Sequence, residues 1–176
     1  MSDKLYEDVY SLISSIQQNN DTDTFISDIL DFISNVADAD GYFFYKITPA
    51  KYINLEYMNI KSLRMEIKGS TCDKFFPPIF IPETKEKKIK SPIEICATNK
   101  IIINSSNIYN EPDMDVSTLK NFDLSNDYNS ISLLAFPLFD SKGNLLAVIK
   151  FINTHKSNLI SAFLPPEHKA HIKISS

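Results

Sequence analysis

Glycine is scarce: three residues, Gly41, Gly69 and Gly143, serve a chain of 176. No glycine-rich phosphate loop of either common kind can be written with them. Arginine is scarcer still. Arg64 stands alone among 18 lysines and arginines, too few for a base-reading surface or a guanidinium clamp on phosphates, so nucleic acid is not an expected partner. The two cysteines, Cys72 and Cys96, have no metal-ligand spacing and make no disulfide framework, which fits a reducing, cytoplasmic location. No apolar run reaches the roughly 20 residues of a membrane span, so no membrane insertion is expected. The acidic, amphipathic opening MSDKLYEDVY is not a secretory signal.

What remains is an ordinary globular composition, 43% hydrophobic with a net charge of -4. The length suits one domain with a helical appendage. The one basic run, KEKKIK at 85–90, reads as a solvated loop or as a contact with an anion or a partner domain.

Helical spacing of Leu5, Val9, Leu12, Ile13 and Ile16 predicts a first helix over 3–17 with a narrow apolar stripe. A second, over 24–37, carries a wider stripe through Phe25, Ile26, Ile29, Leu30, Phe32, Ile33 and Val36, so it should lie on a core. After DADG the period falls to two, predicting strands at 42–47 and 52–60, with 63–67 extending the second or forming another. IFIP (79–82) is a short strand. In SPIEICATNK, Ser91 is an N-cap, Pro92 fits the first helical position and Glu94 completes a capping box, so a short helix should run over 92–98 and end at a left-handed Asn99. A strand at 100–104 follows, then a short helix near 116–123.

The hairpin LLAFPLFDSKGNLLAVIKFIN closes the order. Its second strand alternates, yet both faces are apolar: Leu145, Ala147, Ile149 and Phe151 on one side, Leu146, Val148, Lys150 and Ile152 on the other. A sheet with one wet face would not look like this, so both faces should be covered. The fold class is α+β or α/β with a largely antiparallel sheet and helices on its faces. The tail LPPEHKAHIKISS reads as the start of a further helix.

Over about residues 20–168, and most clearly over 91–153, the sequence resembles a GAF domain, the small-molecule sensor module of cyclic-nucleotide phosphodiesterases, cyclases and bacterial signalling proteins. ICATNKIIINSSNIYNEP and NFDLSNDYNSISLLAFPLFDSKGNLLAVIKFIN carry the likeness, together with ILDFISNVADADGYFFYKI upstream. The resemblance favours α+β and implies a GAF-like (PAS-like) six-stranded antiparallel sheet. Terminal helices would cover one face and form a homodimer interface, and two short helices would close the other face over a ligand. The implied division is a dimerisation or linker helix at 1–20, the sensory domain at 21–164 and the start of a linker helix at 165–176.

By the same resemblance, ligand contacts would come from Ile93, Glu94 and Ala97 on the first short helix, and from Leu119, Asp123, Asn126 and Ser130 on the second helical segment and the loop after it. Val148 and Lys150 would contribute from the last strand, and Phe44 from the aromatic run, stacking on a planar ligand. The chain departs from cyclic-nucleotide-binding members in several places. Lys150 replaces an acidic residue, Pro92 and Glu94 replace small ones, and Asp127 replaces a glycine. The signature near the C-terminus survives only as Asn153, Phe163 and Glu167, with Thr154 where a lysine is expected. These departures point away from a cyclic nucleotide and toward a different, anionic small molecule.

Lys150 has two readings. It pairs in the pocket with a ligand anion, Glu94 or Asp123, or it snorkels at a sheet margin. Cys96 reads as a small core residue, and Cys72 as an exposed, oxidisable one. His168 and His171 lie three apart on the expected tail helix but have no partner ligands upstream, and with His155 they suggest linker chemistry rather than a metal site. No nucleophile elbow and no Ser/His/Asp set is present, so no catalytic residue and no cofactor is assigned. The expected role is a non-catalytic regulatory domain of a larger protein, controlling a cyclase, phosphodiesterase or histidine kinase. A ligand-free dimerisation scaffold is the alternative, and an enzyme with its site on 105–130 is a third.

Overall fold

The computed structural model describes residues 22–81, 90–155 and 172–175. The helix expected over 3–17, most of the charged insertion and the start of the tail lie outside these residues. The first described element is helix α1 (Thr22–Val36). Strands β1 (Ala39–Ile47), β2 (Tyr52–Ile60) and β3 (Met65–Lys68) follow, then a 3-10 turn at Gly69–Lys74 and the two-residue strand β4 (Ile79–Phe80). Helix α2 (Pro92–Asn99), strand β5 (Ile102–Ser105), helix α3 (Ser117–Asn126), strands β6 (Leu133–Phe139) and β7 (Leu145–Thr154), and a short strand β8 (Ile172–Ser175) complete the order.

The sheet runs β3-β2-β1-β7-β6-β5-β8, with β4 paired to β2. The first six strands of that path form the expected antiparallel sheet. The described part of the tail corrects one expectation: instead of a helix, Ile172–Ser175 pair parallel to the edge strand β5. The β-branched alternation of IKIS suits an extended ladder, and β5 offers an unpaired edge to it.

Both faces of the sheet are buried. One carries Leu30 of α1 together with Tyr42, Phe136, Ile149 and Phe151, with Ile26 and Ile33 packed against them. The other carries Phe43, Tyr45, Val148 and Ile152 beneath Ile93, Cys96 and Ala97 of α2 and Leu119 and Phe122 of α3. This division explains the doubly apolar hairpin. It also corrects the first two residues of the hairpin's second strand. Leu145 packs with the α2/α3 face, and Leu146 is half exposed at 50%. A register shift between Leu138 and Phe139 pairs Phe139 with Leu145, so the alternation begins only at Ala147.

Two glycines have structural reasons. Gly143 takes φ 80° in the hairpin turn, where Asp140 accepts hydrogen bonds from the backbone N–H groups of Lys142 and Asn144. Gly41 lies in β1 at the tightest point of the sheet: a Cβ there would stand 2.9 Å from the carbonyl oxygen of Asn59 and 3.2 Å from Ile152.

Candidate functional site

Helix α2 begins as its sequence dictates. The Ser91 hydroxyl accepts from the Glu94 N–H at 3.3 Å, and Pro92 occupies the first turn. Its end differs from expectation by one residue. Asn99 is still helical, and Lys100 takes the left-handed conformation with φ 55°. Helix α3 ends at Asp127, also left-handed, so the glycine the resemblance expected there is replaced by a residue that tolerates the same backbone.

Between the N-terminal turns of these helices and the sheet lies a cavity of about 240 Å³. Tyr45, Leu133 and Lys150 form its floor; Ser91, Pro92 and Ile93 line it from α2; Asp115, Thr118 and Leu119 line it from the α3 side; and Phe76, Pro77, Pro78 and Ile79 close it. The surface is mostly apolar with a few polar groups, the composition of a small-molecule pocket.

Lys150 is 3% exposed. Its Nζ stands 3.5 Å from the centroid of Phe43, 4.7 Å from that of Phe76 and 5.8 Å from that of Tyr45. Neither proposed intramolecular partner reaches it. Glu94 lies 3.9 Å from Lys90 instead. Asp123 is taken by the Tyr109 hydroxyl (2.6 Å), the Ser130 N–H (2.6 Å) and the Ser130 hydroxyl (2.9 Å). Among the described residues Lys150 has no hydrogen-bond acceptor and no ion pair, only aromatic faces. Burial drives its ammonium pKa down to about 7, with the negative charge of Asp123 opposing. The snorkelling reading therefore fails, because the side chain ends inside the fold.

Tyr45 is likewise 3% exposed and lines the cavity. Its hydroxyl has no hydrogen-bond partner among the described residues, and burial raises its pKa. The sequence reading missed it and named Phe44, which faces the other way: Phe44 packs with the α1 face and pairs with Ile149.

Comparison with known structures matches this architecture. The chain is similar to the GAF domain of a phosphoenolpyruvate-protein phosphotransferase from Coxiella burnetii, with a TM-score of 0.60 and 9% identity over 95% of this chain and 84% of that one. It is similar to the corresponding domain from Acinetobacter, with a TM-score of 0.59 and 9% identity over 97% and 93% of the two chains. A further solved GAF domain gives 0.56 and 13%, over 96% and 89%. The chain has the GAF fold. No family model and no curated protein matches its sequence, so the likeness is one of architecture.

Within this GAF fold the residues expected to contact ligand separate into groups. Ile93, Leu119 and Lys150 line the cavity. Ala97 and Val148 are buried in the core on the same side of the sheet but do not line it. Glu94 is half-buried beside Lys90. Asn126 donates to the Phe122 carbonyl at the end of α3, and Asp123 and Ser130 lock the loop after it. Asn153, part of the expected signature, also holds this loop: its side chain accepts from the Ile131 N–H and donates to the Asn129 carbonyl and the Tyr128 hydroxyl. Tyr128 in turn donates to Asp40 at 2.6 Å. Cys96 is buried, as expected of a core residue, but so is Cys72, which corrects the expectation that it is exposed. Burial pushes the Cys72 thiol up to about 11, leaving little thiolate at neutral pH. No cluster of three metal-ligating side chains occurs among the described residues, and no described helix is long and apolar enough to cross a membrane.

Proposed function

We propose that this chain is a non-catalytic sensory domain of a larger signal-transduction protein, and that a small molecule held between α2, α3 and the sheet controls an output domain such as a cyclase, phosphodiesterase or histidine kinase. The observation that carries this reading is Lys150, an ionisable group buried on the floor of a cavity without a polar partner among the described residues. Burying it costs stability that an apolar residue of similar length would not. A ligand that supplies the missing partner gives that cost a function.

The same strand supplies a route for the signal. Lys150 faces the cavity, while its neighbours Ile149 and Phe151 pack on the α1 face. A ligand that shifts β7 therefore acts on α1 through one strand, provided it binds the two arrangements with different affinity. A catalytic role for 105–130 receives less support, because Asp123 is occupied by Tyr109 and Ser130.

Thermal unfolding in the presence of a metabolite panel tests the proposal. Binding to the folded state should raise stability by about 2.7 kcal/mol at a hundredfold excess over Kd. Leu119→Trp, which fills the cavity, should abolish the shift. If no compound raises the melting temperature, the scaffold reading replaces this one.

A further inference from the structure

Two buried hydrogen-bond donors, the Lys150 ammonium and the Tyr45 hydroxyl, lie on neighbouring strands of the same cavity floor without partners among the described residues. Register explains their convergence. Phe43 is the direct cross-strand neighbour of Lys150, and Tyr45, two residues further along the same face, sits diagonally to it. The remaining wall is mainly apolar, with Pro78, Ile93 and Leu119, and carries Ser91, Asp115 and Thr118 toward the start of the two helices. A group that satisfies both donors must be an acceptor, and one that offsets a buried ammonium must be negative.

We infer that the ligand is a small monocarboxylate whose carboxyl group meets Lys150 and Tyr45 while its apolar body fills the space beneath α2 and α3. This inference rests on the sensory reading and names its ligand class. One cation calls for one negative charge; a phosphate dianion would leave charge uncompensated among Phe43, Phe76 and the prolines. The volume, about 240 Å³, is below that of drug-sized pockets, which suits a short-chain or single-ring acid.

Binding should couple to a proton. The titratable groups facing Lys150 are Tyr45 from β1, Asp123 from α3 and Asp115 on the cavity wall before α3; α2, β6 and the 76–79 segment present Ser91, Pro92, Ile93, Leu133 and apolar loop residues. With the free lysine titrating near 7, a carboxylate must draw a proton onto it at higher pH. Affinity should then be level between about pH 5 and 7 and fall up to tenfold per pH unit above that.

Calorimetric titration of the full chain with benzoate and 4-methylpentanoate, each beside its primary amide, tests the inference. The acids should bind at least tenfold more tightly than their amides, and their binding heat at pH 8 should vary with the buffer's ionisation heat. Lys150→Met should erase the preference, Tyr45→Phe should weaken acid binding several-fold, and both variants should keep the wild-type circular dichroism spectrum. Amides binding as well as acids, or acids binding Lys150→Met unchanged, overturns the carboxylate while leaving the sensory reading intact. If neither acids nor amides bind, the inference fails, and the metabolite panel decides the sensory reading separately.

Discussion

Lys150 and Phe43 face each other across the β1–β7 pair, and the lysine nitrogen stands 3.5 Å from the centre of the phenyl ring. The ring face offsets part of the cost of burying the cation, but no oxygen of the described residues completes its shell. The energetics of the site follow from this arrangement.

Lys150→Met should stabilise the unliganded protein, and more so at low pH. The folded lysine releases its proton near pH 7, while the unfolded one holds it to about 10.5. Between these values the unfolded chain binds the extra proton, so wild-type stability rises with pH through that window and the full penalty is present below 7. Urea unfolding at pH 6 and pH 9 should show a larger gain for the variant at pH 6. An equal loss at both would mean that the lysine contributes through packing.

Asp40 should behave in the opposite sense. Although partial burial opposes it, hydrogen bonds from Ser62 and Tyr128 hold its carboxyl below the ordinary value of 3.8. Its contribution is therefore present above that value and lost as pH falls through the lower folded one. Asp40→Asn should flatten the acid limb of the stability curve between about pH 5 and 3; a limb as steep as wild type would show that other carboxylates govern it.

Asp123→Ala should be costly, because it strands the Tyr109 hydroxyl and both donors of Ser130. At about 1–3 kcal/mol for each buried group left unsatisfied, a loss of at least 3 kcal/mol is expected in urea unfolding. Tyr109→Phe, which removes a single donor, should cost about 1 kcal/mol. Equal losses would contradict the assigned network.

Gly41→Ala tests the close approach in β1. An alanine in a strand ordinarily gains over glycine in chain entropy, but here its Cβ meets the Asn59 carbonyl at 2.9 Å. Overpacking should dominate and cost about 1–3 kcal/mol. A neutral or stabilising result would show that β2 yields.

Much of this was legible in the sequence because local signals agreed. The alternation of YINLEYMNI predicts β2 at its observed bounds, and Ser91–Pro92 predicts the start of α2. Lys150 stood out as the one charge on an apolar strand face. Tyr45 did not, because YFFY is aromatic throughout and carries no polar contrast to mark its faces; pairing with β7, over a hundred residues away, decides them. The tail strand depends in the same way on a distant edge, that of β5. Asp123 carried the chemistry of a ligand contact, and only the positions of Tyr109 and Ser130 show which donors its carboxylate accepts from.

If the space above Lys150 is a ligand site, the protein should retain a small molecule there. Native mass spectrometry tests it most directly, on the wild-type chain and on Leu119→Trp after each is incubated with a fraction of small cellular metabolites. A discrete small-molecule adduct is expected on the wild type and should be absent from the cavity-filled variant. The same adduct on both proteins, or none on either, would contradict it.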